Sequence, residues 1–251
     1  MITLEELYEV KEKQKTNLYY AEKEYLQYIF LNAISKYPNF VFKGGTCLRI
    51  CYGFERASED LDFSTYLSIK GVKEIVKKCL KDFELLNINY NIPLEKEFEN
   101  NVRIEARFEG PLFSGKTAST NTLKIDFNKQ KVKHKIAKVV QKLFSDVPLF
   151  TITATDEKEI LAEKIRALIN RKEARDMYDI WMLLNKDVEI DKKLIAKKIK
   201  KEKSNLANLE FPSKEEYERG LKNLVNVLPP YEQVRKELEK VIAGLKEKNN
   251  N

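Results

Sequence analysis

The stretch from Phe42 to Ser64 reads FKGGTCLRICYGFERASEDLDFS, and it decides the fold. An apolar strand leads into a Gly-Gly turn, a short helix follows, and Asp60 and Asp62 then mark an acidic strand. One residue separates the two aspartates, so on a strand both carboxylates point to the same face. Two like charges tolerate this closeness when a divalent cation lies between them, and magnesium prefers oxygen ligands of this kind. The pattern therefore predicts a site for a metal ion and a nucleoside triphosphate.

The glycine turn is the second half of this pattern. Gly44 and Gly45 lack a Cβ atom, so their backbone N–H groups are able to approach a phosphate closely. We expect Thr46 to cap the helix that follows, whose N-terminus attracts anions. A Gly-Gly pair alone is also typical of an ordinary turn, and an Asp-x-Asp pair of a solvated strand. The prediction therefore depends on the two occurring in this order.

The charge balance favours a polyanionic partner. The 251 residues include 46 Lys and Arg against 39 Asp and Glu, which gives a net charge of +7. A basic protein attracts nucleic acid through phosphate contacts and counterion release. Enrichment in lysine and glutamate is also typical of hyperthermophile proteins, for reasons of ion-pair stability. Both interpretations stay open on composition alone.

Targeting signals and metal-binding cysteine pairs are missing from the sequence. No apolar run approaches the roughly 18 residues of a membrane-spanning helix, and the acidic start Met1–Leu7 is unlike a secretory signal. We therefore expect a cytoplasmic protein with no membrane association. The three cysteines, Cys47, Cys51 and Cys79, form no C-x-x-C pair and are accompanied by one histidine, so buried free thiols are expected rather than a zinc site.

The hydrophobic periodicity predicts an α+β core followed by a helical C-terminal part. Apolar residues recur at helical spacing from Tyr25 to Ile34, and they alternate with polar residues in 102–108 and 123–127. From Thr155 onward the pattern is helical, with Thr155 or Asp156 as the first cap. We predict a core domain over residues 1–154 and a helical domain over residues 155–251 that completes the active site.

Two segments in this order resemble a known family. Residues 42–64, together with EILAEKIRALINRKEARDMYDIWML at 159–183, resemble the AbiEii / MenT-type nucleotidyltransferase toxins of the DNA polymerase β-like superfamily. The resemblance spans roughly residues 15–185. It implies a polymerase β-like core with a mixed sheet and flanking helices, and magnesium-dependent transfer of a nucleoside monophosphate from an NTP. It also implies a toxin of a type IV-like (abortive infection) system with a cognate antitoxin protein, and it favours the 3′ end of tRNA as acceptor.

The resemblance also assigns residues. The residues expected to bind the nucleotide are Lys43, Gly44, Gly45, Thr46, Arg56, Ser58 and Lys164. The residues that it marks as catalytic are Asp60, Asp62, Lys164 and Asp176, of which Asp60 and Asp62 would bind the metal. The alternation in 123–127, rather than the resemblance, adds Asp126 as a further catalytic and metal-binding carboxylate. Lys164 matches the lysine of the family's E-K-x-x-A-L helix, and Asp176 matches the first acid of its R-D-x-Y-D segment. Asp179 is the second acid there.

Three points stay open in the sequence. Two-metal transfer needs a third carboxylate from a neighbouring strand; Asp126 is the candidate, Glu105 is its rival, and the number of metals is undecided. Lys164 lies in a charged helix, where an exposed ion pair is the alternative. The lysine-rich segment 192–203 is a candidate RNA-binding face or simply a solvated one.

Two other functions are compatible with the same motifs. The acceptor could be a protein side chain, or the chain could be a nucleotide- or RNA-binding module without catalysis. The intact Asp-x-Asp pair argues against the second alternative. Neither the NTP nor the oligomeric state is indicated by the sequence.

Overall fold

The computed structural model describes residues 1–246. These residues divide into two compact units, Met1–Thr155 and a second one that begins at Asp156. The helices of the first unit are α1 Leu4–Lys13, α2 Leu18–Ser35, α3 Gly44–Tyr52 and α4 Ile69–Leu85. Its strands are β1 Phe40–Lys43, β2 Leu61–Thr65, β3 Tyr90–Glu97, β4 Asn101–Phe108, β5 Asn121–Lys129, β6 Lys135–Val140 and β7 Phe150–Thr155. In the part of the second unit that is described, the helices are α5 Glu157–Arg171, α6 Ala174–Asn185, α7 Lys192–Lys201, α8 Lys214–Leu221 and α9 Tyr231–Lys246.

The seven strands form one mixed sheet in the order β3-β4-β5-β2-β1-β7-β6. The pairs β2–β5 and β1–β7 are parallel, and the other pairs are antiparallel. The predicted α+β class with a mixed sheet is thereby confirmed. The antiparallel pair β1–β2 brings the end of the glycine-turn strand beside the start of the acidic strand, which is the arrangement that the site requires.

One face of the sheet carries the aromatic core. Phe42, Phe63 and Phe127 occupy one row across β1, β2 and β5, and the rings of Phe63 and Phe127 stack with centroids 5.3 Å apart. Phe30 of α2 packs on Phe63 at 6.3 Å. Burying a phenylalanine side chain stabilises the fold by about 1.5–3 kcal/mol. These contacts fix α2 against the strands that bear the acidic residues.

The alternation predicted for two strands is confirmed. In β4 the buried residues are Val102, Ile104, Ala106 and Phe108, and in β5 they are Leu123, Ile125 and Phe127. The intervening polar residues of both strands therefore share the opposite face.

Three strands were missing from the sequence prediction, namely β3, β6 and β7. Strands β3 and β6 are the two outer strands of the sheet, and most of their residues are half-buried or exposed. An edge strand needs little apolar alternation and tolerates proline and lysine, which hides it from a periodicity search. In β7, by contrast, Phe150, Ile152 and Ala154 alternate with threonines and are buried, so the signal was present.

The helices of the second unit agree with the periodicity. Helix α5 begins after Asp156, whose side chain accepts a hydrogen bond from the backbone N–H of Lys158. Tyr178 is buried, whereas Trp181 is half-buried and donates its indole N–H to Glu237. Within residues 1–246, no helix is both long enough and apolar enough to cross a membrane.

Candidate active site

The glycine turn forms the start of helix α3. Gly44 has a φ of +79°, in the left-handed region that glycine adopts without strain, and Lys43 occupies the N-cap position without a side-chain cap. The prediction that Thr46 caps this helix is wrong. Its hydroxyl instead lies within hydrogen-bonding distance of the Asp60 carbonyl oxygen and, at 2.8 Å, of the Ser58 hydroxyl. The first turn of α3 thus presents backbone N–H groups of the kind that bind phosphate.

Space favours glycine at both positions, and the backbone angle favours it at Gly44. A Cβ atom on Gly44 would overlap the Asp62 carboxylate, and one on Gly45 would overlap the Arg56 guanidinium and crowd the Ser58 hydroxyl. The residues of the predicted nucleotide site therefore lie directly against each other. The turn and the acidic strand, 14 or more residues apart along the chain, form one cluster.

The acidic strand carries its charges in one row. Asp62 pairs in register with Lys43 of β1 on one side and with Asp126 of β5 on the other. Neighbouring strands lie about 4.8 Å apart, so the three side chains are adjacent on one face of the sheet. Asp60 and Asp62 are both half-buried. The row gives an acidic centre with a lysine immediately beside it.

Asp126 is engaged by Arg103 of β4, which lies opposite it in register. The guanidinium binds both carboxylate oxygens, at 2.9 and 3.0 Å. Hydrogen bonding to Asp126 raises the pKa of Arg103. The rival carboxylate, Glu105, lies opposite Lys124 instead. The fork-to-carboxylate geometry is among the stronger ion pairs available to a half-exposed site.

The predicted three-carboxylate metal site is not assembled. Among residues 1–246, no three or more His, Cys, Asp or Glu side chains are grouped so as to hold a metal ion. Asp126 is bound to Arg103, which holds its carboxylate in an ion pair instead of leaving it available as a metal ligand. Asp60 and Asp62 still fit magnesium, since that ion is commonly held by one or two carboxylates together with substrate phosphates. A metal-binding role for Asp126 stays a prediction.

Buried polar residues of α2, which the sequence pattern did not predict, hold the segment before the acidic strand. Gln27 donates to the backbone carbonyls of Ser58 and Glu59, both at 3.0 Å. Lys23 donates to the carbonyl of Thr122 at 2.7 Å. Burial lowers the pKa of Lys23, while Glu59 and Asp60 act in the opposite direction. Helix α2 therefore serves as a polar brace as well as an apolar layer.

A buried ion pair fixes α3 to α2. Arg49 binds Glu24 through two hydrogen bonds of 2.9 and 2.8 Å, and it also donates to the carbonyl of Glu55. Both side chains are less than a tenth exposed. Removing one partner of such a pair costs about 3–5 kcal/mol, because the other charge is left buried. The glycine turn therefore rests on a rigid support.

The second unit contains a separate buried charge cluster. Lys164 binds Asp176 at 2.9 Å and Asp179 at 2.7 Å, and Arg171 binds Asp176 through both of its carboxylate oxygens. Both aspartates are inaccessible to solvent. Burial raises the pKa of Asp176, but the charge of Lys164 and the hydrogen bonds and charge of Arg171 outweigh it and lower the pKa to about 2. Lys164 is thus a buried, doubly paired lysine rather than an exposed one.

The predicted RNA-binding lysines of α7 do not all face outward. Lys198 is buried and binds Glu159 at 2.7 Å and Glu163 at 2.9 Å. The prediction that Lys198 belongs to a solvent-facing surface was wrong, because two glutamates of the second unit neutralise its charge. Lys193, Lys197 and Lys200 are exposed.

The cysteines are free thiols, as expected. Cys47 and Cys79 are buried and Cys51 is half-buried. Burial raises the pKa of Cys79 to about 12 and also raises the pKa of Cys47. Thiols in such surroundings are poor nucleophiles.

Comparisons with solved structures find the same fold in other proteins. One is JHP933 from Helicobacter pylori, with 20% identity, a TM-score of 0.60 and coverage of 93% of this chain and 94% of that one. Another is MenT4, a nucleotidyltransferase toxin from Mycobacterium tuberculosis, with 18% identity, a TM-score of 0.68 and coverage of 96% of this chain and 89% of that one. A search of curated protein sequences finds no match.

A family model gives the more specific result. The model described as "Nucleotidyl transferase AbiEii toxin, Type IV TA system" matches residues 29–243, which is most of the chain and includes the glycine turn, the acidic strand and the charge cluster. Membership implies an NTP substrate and an antitoxin partner. The chain is a nucleotidyltransferase of the AbiEii toxin family.

Proposed function

We propose that this enzyme transfers a nucleoside monophosphate from a magnesium-bound NTP to the 3′ end of tRNA in the cytoplasm. The observation that carries the proposal is the contact between Gly44 and the Asp62 carboxylate, because it joins a phosphate-binding turn to a metal-binding carboxylate. The net charge of +7 supports a polyanionic acceptor.

The first unit supplies the groups that hold the nucleotide. Asp60 and Asp62 would hold magnesium, which when bound supplies positive charge to the triphosphate. The backbone N–H groups at the start of α3 would donate hydrogen bonds to phosphate oxygens. The ammonium of Lys43, in register with Asp62, adds positive charge beside them. Arg56 and Ser58 pack on Gly45 and hold the turn in shape. Catalysis in this scheme is mostly positioning and charge stabilisation.

The transfer itself is a substitution at phosphorus. The acceptor hydroxyl oxygen forms a bond to the α-phosphorus, the bond from that phosphorus to the bridging oxygen breaks, and pyrophosphate leaves. The hydroxyl proton passes to solvent or to a nearby base. Backbone N–H groups that donate hydrogen bonds to the triphosphate would stabilise the negative charge of the leaving pyrophosphate.

The charge cluster of the second unit has a supporting role in the proposal. A carboxylate with a pKa of about 2 is a weak base at neutral pH, so Asp176 orients Lys164 rather than removing the acceptor proton. The nucleotide-binding role of Lys164 stays a prediction, since its ammonium is bound by Asp176 and Asp179. Arg171 completes the cluster by binding Asp176.

The acceptor is tested by labelling. Purified protein is incubated with each NTP radiolabelled at the α-phosphate, magnesium and total tRNA, beside the same tRNA oxidised with periodate at its 3′ end. Label in intact tRNA that is absent from oxidised tRNA supports the proposal and identifies the NTP. Equal labelling of both RNAs, or label found in protein, overturns the tRNA 3′ end as acceptor.

A further inference from the structure

The segment that leads into and out of β6 is the most basic part of the first unit. Residues 129–145 contain six lysines and no acidic residue. The lysines are Lys129, Lys131, Lys133, Lys135, Lys138 and Lys142, and we call them the basic strip. All but Lys138 are exposed.

The lysines of the basic strip have no acidic partners. Within residues 1–246, none of the six forms an ion pair, whereas Lys11, Lys36 and Lys73 of the same unit are each bound to a carboxylate. Lysines on a folded surface commonly pair with nearby acids, so a run of uncompensated positive charge raises the local potential. This strip is therefore suited to a polyanion.

Protection of a sheet edge explains only part of the strip. Strand β6 is an outer strand, and lysines on outer strands discourage pairing with other sheets. Only Lys135 and Lys138 belong to β6, and Lys138 lies over the ring of Tyr52 at 4.0 Å. The other four lysines lie outside the strand and need another explanation.

The sheet fixes how far Lys135, the first residue of β6, lies from the acidic centre. Ile136 of β6 faces Ala154 of β7, which faces Phe42 of β1, which faces Phe63 of β2. Three strand spacings of about 4.8 Å place Ile136 roughly 14 Å from Phe63. Lys135 and Asp62 are the residues next to these two. At about 3.4 Å per nucleotide of a stacked strand, the separation corresponds to roughly four nucleotides.

We propose that the basic strip binds the phosphate backbone of the RNA acceptor a few nucleotides away from the end held at Asp62; this rests on the proposed function. Phosphate contacts of this kind fix the register of a nucleic acid and carry no sequence information. The strip offers charge without an exposed aromatic ring, since the Tyr52 ring lies beneath Lys138. The expected recognition is therefore of backbone and shape, as for a base-paired stem.

A triple substitution tests the strip against a matched control. Lys131, Lys133 and Lys135 are changed to Gln, which keeps much of each side chain and removes three charges. The control changes the exposed lysines of α7, Lys193, Lys197 and Lys200, to Gln, with the same loss of charge. A third protein carries Arg at the strip positions. Thermal unfolding confirms that each variant is folded.

Binding of fluorescent tRNA is measured by anisotropy over a range of salt concentrations. Loss of three phosphate contacts weakens binding roughly a hundredfold at about 0.1 M salt. It also reduces the slope of the logarithm of the binding constant against the logarithm of salt concentration by about 2–3. We expect this for the Gln strip variant, near-normal binding for the Arg variant, and a smaller effect for the α7 control. Equal affinity of the strip variant and the unaltered protein overturns the proposal, as does a larger loss in the α7 control.

The fate of the label separates this proposal from the proposed function. If the unaltered protein labels tRNA and the strip variant binds tRNA equally well, only the strip is overturned. If neither protein binds tRNA and both transfer label to protein, the RNA acceptor is overturned together with the strip.

Discussion

Adding one methyl group at Gly44 tests whether activity depends on the close packing of the glycine turn on Asp62, separately from the stability of the fold. In Gly44→Ala the new Cβ atom overlaps the Asp62 carboxylate, and the residue must keep a φ of +79°. Gly53, at the end of α3, has a similar φ of +71°, but a Cβ atom there meets nothing within 4 Å. Gly53→Ala is therefore a matched control with the same kind of backbone strain and no contact with the acidic strand.

The expected magnitudes follow from this difference. An alanine in the left-handed region costs about 1–2 kcal/mol. For a chain of this size, 1 kcal/mol corresponds to roughly 2–4 °C in Tm. Both variants should therefore unfold several degrees lower. Displacing a metal-binding carboxylate by about 1 Å costs on the order of a hundredfold in rate. Only Gly44→Ala should show this loss.

The assay measures nucleotide transfer below the unfolding temperature of both variants, with circular dichroism to confirm that they are folded. We expect transfer by Gly53→Ala within about threefold of the unaltered protein and a loss of about a hundredfold in Gly44→Ala. Near-normal transfer by Gly44→Ala, or an equal loss in both variants, would refute the close packing of the turn on Asp62 as a requirement for activity.

Three further perturbations probe the charge clusters. Lys164→Met removes a buried cation that binds two buried carboxylates, so we expect a loss of about 3–5 kcal/mol in urea unfolding. A loss below about 1 kcal/mol would contradict the buried pairing. The pKa of Asp176 lies at about 2, below its ordinary value of 3.8, so its contribution to stability is full above about pH 4 and is lost as the pH falls through 2. Between pH 5 and pH 3 the free energy of unfolding should fall less steeply in Asp176→Asn than in the unaltered protein. Equal slopes in the two proteins would contradict the lowered pKa of Asp176. Arg103→Gln removes a positive charge that binds Asp126, so the affinity for manganese, measured by calorimetry, should rise several-fold. Arg107→Gln, on the same strand and face, should have a smaller effect. Equal affinities in the two variants would contradict this.

The acidic strand and the glycine turn were predictable because their signal is local. A Gly-Gly turn and an Asp-x-Asp strand each constrain the backbone within a few residues, and the family resemblance orders them. The strands β4 and β5 were predictable for a similar reason, since Ile104 and Ile125 belong to strict alternations with one buried face.

The register between strands was not predictable, and the contact of Asp126 depends on it. Asp126 lies opposite Arg103 because β4 and β5 pair antiparallel in one specific alignment. A shift of one residue would place the two side chains on opposite faces. The sequence shows an acid on a polar face and several basic residues on its neighbour, and it does not say which of them meet.

The buried polar residues of α2 show a second limit. Glu22, Lys23 and Gln27 are at most 3% exposed, although a helical pattern alone would place such residues in solvent. Their burial depends on partners about 30 to 100 residues away, such as the carbonyls of Ser58 and Thr122. Such tertiary partners leave no mark in the local pattern.

The role of the acidic pair is tested most directly by one substitution. Asp62→Asn keeps the shape of the side chain and removes the charge, and Asp82→Asn, at an exposed ion pair with Lys36, is the matched control. Transfer from an NTP labelled at its α-phosphate is measured for both variants beside the unaltered protein. We expect transfer to be abolished in Asp62→Asn and unchanged in Asp82→Asn. Transfer that persists in a folded Asp62→Asn protein would contradict the assignment of the acidic strand as the centre of the reaction.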